Sequence, residues 1–467
     1  MPTLKQFLSG NEAVARGAWE AGVEVAAGYP GTPSTEILES IVAYDGVNAE
    51  WSVNEKVAFE VAYGAAVGGK RSLASMKHVG VNVAADALMT AAYTGVNRGL
   101  VLVSADDPGI HSSQNEQDNR LFAAFAKIPM LEPADSAEAY EFTRLAFEIS
   151  ERFDTPVLLR LTTRICHGRG VVMPGDRGKI EPYPYRKDAQ KYVMIPAHAR
   201  VRHGAVEERR LALERYAEDC GANRPEMGDT AVGVVTAGVP YQYAREVLPA
   251  ASFFKLGLTW PLPEKGLKEF AERVEKLYVV EELEPFLEDR LRAMGLTVIG
   301  KKLLPRTGEL SPELLREKLF PEKSSHQKVL PPALPGRPPV MCPGCPHRRV
   351  FYILKKMKAT VTGDIGCYTL SALEPLSTMD TCICMGASVG VAQGFRKALG
   401  EDDKKPSVAV LGDSTFIHAG IPALINAVYN QTNITVIVLD NRTTAMTGLQ
   451  EHPGTGRTLQ GGGGSRV

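Results

Sequence analysis

Four long apolar runs constrain this chain most: "GLVLVSAD" (99–106), "TPVLLRLTT" (155–163), "SVAVLGDS" (407–414) and "ITVIVLDN" (434–441). A strand with one wet face alternates apolar and polar residues. A run without alternation is covered on both faces, which is the habit of strands inside a parallel sheet. Parallel strands need crossovers of a dozen or more residues, most often helices. The chain is therefore expected to be α/β, with open parallel sheets flanked by helices.

At 467 residues the chain is too long for one core. "GVEVAAGYPGTPSTEILESI" reads as strand, Gly/Pro turn and helix, with Thr32, Pro33 and Ser34 marking the helix start. On this basis residues 1–175 form a first α/β domain. Residues 176–228 are polar and basic, and read as a connecting segment around the charged helix "VEERRLALERYAED". A smaller α/β unit is expected over 229–325, a stiff Pro-rich linker over 326–340 and a third domain over 341–467. The ending "LQGGGGSRV" follows a strand that should have successors, so the third domain is expected to be incomplete.

Lys plus Arg number 53 and Asp plus Glu 54, so no chain-wide field attracts nucleic acid or an anionic membrane. The first residues lack a signal-peptide pattern, and no apolar run is long enough to span a bilayer. The expected location is the cytoplasm. Seven cysteines are too few for a disulfide framework, yet five of them fall between Cys342 and Cys384.

The chemistry is carried by "VLGDSTF" and "VLDNRT". Gly412-Asp413-Ser414 ends one apolar strand and Asp440-Asn441 ends the next, with 25 residues between Ser414 and Asp440. That interval accommodates one helical crossover. Ligands of open parallel sheets bind beyond the carboxyl ends of the strands, so Asp413 and Asn441 should aim side-chain oxygens into one crevice. Gly412 permits close backbone approach, and a helix start suits a phosphate. Two oxygen ligands and a diphosphate suit Mg²⁺. The spacing resembles the thiamine diphosphate motif, G-D-G and an Asn about 25 residues on. Ser414 departs from its second Gly, and strand ends also carry Asp and Asn for turn reasons alone.

A thiamine enzyme also needs a carboxylic acid against the aminopyrimidine ring, and Glu55 leads the small-residue helix "NEKVAFEVAYGAAVGG". Alone, Glu55 reads as a surface residue favoured by the helix dipole. With the metal motif downstream it becomes the leading candidate.

Taken together, "GYPGTPSTE", "HSSQNEQD", "CPGCPHR", "GDIGCYTL", "CMGAS", "GDSTFIHAG" and "DNRTTAMTG" resemble the large subunits of the indolepyruvate:ferredoxin oxidoreductases, a branch of the thiamine diphosphate-dependent 2-oxoacid:ferredoxin oxidoreductases. The similarity runs over essentially the whole chain. It implies a pyrimidine-binding domain, a transketolase C-terminal-like domain and a diphosphate-binding domain, in that order. It also implies oxidative decarboxylation of an aryl pyruvate, with coenzyme A taking the acyl group and ferredoxin the electrons. Glu55 would activate the aminopyrimidine. Asp413, Asn441 and the carbonyl of Thr443 would hold Mg²⁺, with Gly412 and Ser414 beside the cofactor. Thr32 would contact substrate, and the stretch from His111 to Gln117 would line the same pocket. Arg120 is a further substrate candidate, set against a plain reading as a solvated surface arginine. A small second subunit is implied, making a hetero-oligomer. The relatives also carry a ferredoxin-like domain whose close-set cysteines are not found here. The rival readings are another 2-oxoacid:ferredoxin oxidoreductase, a non-oxidative 2-oxoacid decarboxylase and an inactive truncated paralogue.

Cys342 and Cys345 form C-x-x-C, and the next cysteine, Cys367, follows after 21 residues and stands alone. A zinc ribbon wants a second C-x-x-C there. A redox dithiol should follow a strand, and here a Pro-rich segment precedes. The resemblance implies that Cys342, Cys345 and Cys367 are three ligands of a [4Fe–4S] cluster, with no motif supplying the fourth. A structural or vestigial cysteine set is the alternative. His347 beside the pair is a candidate ligand, weighed against a capping or surface role.

Overall fold

The computed structural model describes residues 5–179, 183–321, 335–400 and 404–467. The chain divides into two compact units, 1–327 and 328–467.

In the first unit the strands are β1 (Gln6–Ser9), β2 (Val25–Gly28), β3 (Asn48–Trp51), β4 (Ser72–Lys77), β5 (Leu100–Asp106), β6 (Met130–Leu131), β7 (Val157–Thr162), β8 (Arg169–Val172), β9 (Arg224–Glu226), β10 (Asp229–Ala237), β11 (Ala251–Leu256), β12 (Leu258–Trp260) and β13 (Lys276–Val280). Seven of them form the main sheet, in the order β12-β6-β7-β5-β4-β2-β3. All neighbours are parallel except β12, which lies antiparallel on β6. Every residue of β4, β5 and β7 is buried, as unbroken apolar runs require. The helices on this sheet include Glu55–Val67, as expected, and His78–Thr94.

A second sheet has the order β13-β10-β11-β9. It occupies the stretch expected to be a separate small unit, but it shares the first sheet's core. Leu102, Met130 and Leu158 from the main sheet pack in one cluster with Phe254, Leu256, Phe270 and Phe286. β12 then carries the chain back onto the main sheet's edge. The connecting segment holds a 24-residue helix, Pro196–Asp219. Arg209 Nη1 donates to Ala92 O at 2.6 Å and Arg202 Nε to Tyr93 O at 2.7 Å. These cations satisfy carbonyls left open at the C-terminus of the helix His78–Thr94.

Of the Pro-rich linker, residues 326–334 lie outside the described residues, and 335–340 are exposed and without regular structure. The second unit has one sheet of β14 (Thr360–Gly363), β15 (Thr381–Cys382), β16 (Ser407–Gly412) and β17 (Thr435–Leu439). Its order is β15-β14-β16-β17, parallel throughout. Among the described residues, no helix is long and apolar enough to cross a membrane.

Candidate active site

In the first unit, the strand order reverses at β2, which has β3 on one side and β4 on the other. The crevice beyond the carboxyl ends of β2 and β4 is therefore the place where such a sheet binds ligands. The loop 29–34 leaves β2 there and carries Thr32, which is half-buried. Asn54 caps the next helix, its side chain accepting from Val57 N at 2.9 Å. Glu55 follows as the first helical residue and is only 6% exposed, which corrects its reading as a surface residue. Its carboxylate lies over Gly80, in the first turn of the helix His78–Thr94. A methyl group on Gly80 would stand 2.6 Å from Glu55 Cγ and 2.8 Å from Oε1.

His111 is exposed, and its Nε2 lies 2.9 Å from Glu309 Oε2. The same carboxylate takes two bonds from Arg164, at 2.8 and 2.7 Å. Arg120 is no surface residue, and that reading is corrected: it is 2% exposed. Its Nε and Nη2 grip Asp118, Nη1 donates to Glu281 Oε2 at 2.7 Å, and Nη2 also reaches Glu282 O and Glu284 O. All three guanidinium nitrogens are thus engaged by the protein itself.

In the second unit, β16 ends at Gly412 and β17 at Leu439. Asp413 then opens a three-residue helical turn, followed by a wider turn over Phe416–Gly420 and the helix Ile421–Tyr429. Asp413 Oδ1 accepts from Ser414 N at 2.9 Å, and Oδ2 accepts from Arg442 N at 2.8 Å. The carboxylate is thereby joined to the loop holding Asn441 and Thr443, and Asn441 Oδ1 accepts from Thr443 N at 3.2 Å. Thr444 Oγ1 donates to Ser414 Oγ at 3.0 Å, tying the two loops a second time. Burial pushes the Asp413 carboxyl up, but the His452 ring, the backbone N–H groups of Ser414 and Arg442 and the His452 charge outweigh it, so it sits below its ordinary value. A charged carboxylate, an exposed amide oxygen at Asn441 and a nearby carbonyl are hard oxygen donors, so this chemistry fits Mg²⁺.

Three residues here were not singled out from the sequence. His452 is 5% exposed, with Nε2 3.1 Å from Asp413 Oδ2. Asp364 is wholly buried just past β14. It accepts from Gly386 N and Ser388 Oγ, each at 3.1 Å, and from the Tyr368 hydroxyl. Burial raises its carboxyl to about 7 against those donors. "TGDIG" repeats the strand-end pattern of "LGDS", and the same argument would have found Asp364. His452 had no such signal, because only the fold returns it to β16. Tyr368 also backs Gly412, where a methyl group would lie 3.2 Å from its ring.

Cys342 is exposed, while Cys345 and Cys367 are half-buried. Burial, then the neighbouring Cys342 and Cys345, push the Cys367 thiol up, so the three share one neighbourhood. Among the described residues, no three His, Cys, Asp or Glu side chains are gathered as a metal ion requires. Cys382 and Cys384 lie instead within the influence of Asp364. His347 is buried rather than at the surface; burial lowers its imidazole below the ordinary value, with the Asp413 charge opposing.

Two family descriptions match the chain. "Pyruvate flavodoxin/ferredoxin oxidoreductase, thiamine diP-bdg" matches residues 16–215, and "Thiamine pyrophosphate enzyme, C-terminal TPP binding domain" matches residues 364–465. Indolepyruvate oxidoreductase subunit IorA of Archaeoglobus fulgidus is 43% identical, over 97% of this chain and 77% of that protein. The subunit of the same name from Methanothermobacter thermautotrophicus is 45% identical, over 96% and 77%. In fold, the chain is similar to the 2-oxoglutarate:ferredoxin oxidoreductase of Magnetococcus marinus, with a TM-score of 0.57 at 17% identity, over 68% of this chain and 65% of that one. The sheet-edge sites, the two thiamine diphosphate-binding matches and the near-full-length identity agree: the chain belongs to the indolepyruvate oxidoreductase subunit IorA family, within the thiamine diphosphate-dependent 2-oxoacid:ferredoxin oxidoreductases.

Proposed function

We propose that the chain is the cofactor-bearing subunit of an enzyme that decarboxylates aryl pyruvates oxidatively, forming aryl-acetyl-CoA and passing electrons to ferredoxin. The observation that carries this reading is the buried Glu55 carboxylate seated at the switch point of the main sheet. When bound, thiamine diphosphate supplies a nucleophilic carbon for the keto group and a sink for the electrons left as carbon dioxide departs.

The protein's own residues do the rest. Glu55 holds and returns the proton that the aminopyrimidine needs, and its burial excludes competing water. Asp413, the Asn441 side chain and the Thr443 carbonyl would hold Mg²⁺, and the Gly412–Ser414 turn would face the diphosphate. His452 orients Asp413 from behind, as outer partners of metal ligands commonly do. Thr32 and the loop 111–117 remain the proposed substrate-facing surfaces. Cys342, Cys345 and Cys367 are the proposed thiolate ligands of a [4Fe–4S] cluster, a reading supported by the influence of Cys342 and Cys345 on the Cys367 thiol, and no step is assigned to them. A small second subunit, coenzyme A and ferredoxin are the proposed partners. The cytoplasm is the proposed location, in keeping with seven cysteines that are all free.

The test is anaerobic viologen-dye reduction with aryl pyruvate and coenzyme A, using the chain assembled with its partner subunit. Glu55→Gln should lose turnover by about a hundredfold or more while keeping thiamine diphosphate affinity. Unchanged turnover in that variant sinks the assignment. Carbon dioxide release without dye reduction would favour a non-oxidative decarboxylase.

A further inference from the structure

Lys77 ends β4 and is only 9% exposed. It stands at the switch point, between the loop leaving β2 and the loop leaving β5. Gly31 rests on its stem: a methyl group there would lie 3.1 Å from Lys77 Cβ. Its Nζ crosses to the other loop and donates to Ser112 O at 2.6 Å. The Ser112 hydroxyl in turn donates to Thr32 O at 3.4 Å. Lys77, Thr32 and Ser112 therefore share one corner of the crevice.

The ammonium is not paid for by a carboxylate. Among the described residues it has no ion-pair partner. Asp107, whose charge influences it most, is already occupied: Oδ2 accepts from Ser112 N at 2.9 Å and Ser113 Oγ at 2.5 Å, and Oδ1 from Thr163 Oγ1 at 2.7 Å. Burial lowers the Lys77 pKa to about 8, with the Asp107 charge opposing, so the group is still a cation near neutrality. An ammonium has three donors; among the described residues its partners are both neutral and both on Ser112, the carbonyl at 2.6 Å and the hydroxyl at 3.5 Å. Burying a cation without a counter-ion is costly, and the cost is offset if an anion completes the site. The next residue opens the helix His78–Thr94, whose N-terminal end also favours negative charge.

We infer that Lys77 Nζ anchors the carboxylate of the 2-oxoacid substrate in the corner formed with Thr32 and Ser112. This rests on the proposed reading of the crevice as a 2-oxoacid site and names the residue that recognises the acid group. His111 is committed to Glu309 and Arg120 to its buried carboxylates, so neither competes for that role.

The test is calorimetric titration of the full chain, without thiamine diphosphate so that no chemistry consumes the ligand. Phenylpyruvate is compared with its methyl ester, which keeps the ring and the keto group but not the charge. The unmutated chain should bind the acid at least tenfold tighter than the ester. K77M should bind both equally weakly, and K77R should keep the preference. On the unmutated chain, mass-spectrometric labelling of Lys77 by an amine reagent should be slowed by phenylpyruvate and not by the ester, which tests the contact even if K77M fails to fold. If the unmutated chain binds neither compound, the 2-oxoacid reading itself fails. If K77M keeps the preference, or the acid gives no protection, the Lys77 assignment is overturned while that reading stands.

Discussion

Asp413 shows how much one carboxylate does at the end of a strand. It accepts from its own turn, from the loop after β17 and from His452. Asp413→Ala removes the only anionic side chain of the proposed Mg²⁺ set. It should weaken Mg²⁺-dependent thiamine diphosphate binding by roughly tenfold or more, measured by calorimetry with and without the metal. Equal affinity would count against the metal assignment. Asp364 poses a different problem, because burial raises its carboxyl to about 7 despite its donors. The folded chain then keeps a proton that the unfolded chain loses near pH 4. Wherever the native state binds more protons, stability falls as pH rises. The Asp364 contribution is therefore highest below about pH 4 and declines through the interval up to about 7. In urea melts, Asp364→Asn should remove that decline, so its stability relative to the parent chain rises from pH 4 to pH 7.5. A constant difference would refute the argument.

At the scale of elements, two helix starts make the acid site. Glu55 leads one helix, and Gly80 lies in the first turn of the next. Gly80 has no side chain where the Glu55 carboxylate needs the space. A methyl group at Gly80 would meet the far end of a flexible side chain, which can move away without unfolding the helix. Gly80→Ala should therefore keep the melting temperature within a few degrees. It should lower turnover by roughly tenfold to a hundredfold, because a displaced acid loses its alignment. Steady-state kinetics beside a thermal melt would check both halves. The principal strands and helices were legible because their buried faces leave a periodic or unbroken apolar record. Short edge strands were not. β6, β9 and β12 have two or three residues each, too few for a period to register.

The first unit is held together as a whole by a buried ionic hub. Arg120 bonds Asp118 on its own loop and Glu281 at the end of β13, 161 residues away. Arg160 of β7 bonds Asp106 at 2.7 Å and lies 3.4 Å from Glu132. These groups tie the main sheet to the second sheet, behind the site. Arg120→Met would leave Asp118 and Glu281 buried without their cation, a loss of about 3–5 kcal/mol, seen as a large drop in the urea midpoint. A small change would mean that Arg160 alone neutralises the hub.

By itself the sequence determined the α/β class, the parallel strands, the metal-type strand ends at Asp413 and Asn441, and Glu55 at a helix start. Each of these is a local property, written in neighbouring residues. Only the tertiary structure decided that Glu55 and Arg120 are buried, that the second sheet shares the first sheet's core, that His452 backs Asp413, and that Lys77, with no ion-pair partner among the described residues, shares a corner with Thr32. Burial and pairing across tens or hundreds of residues depend on which surfaces the chain brings together. No window of sequence contains that information.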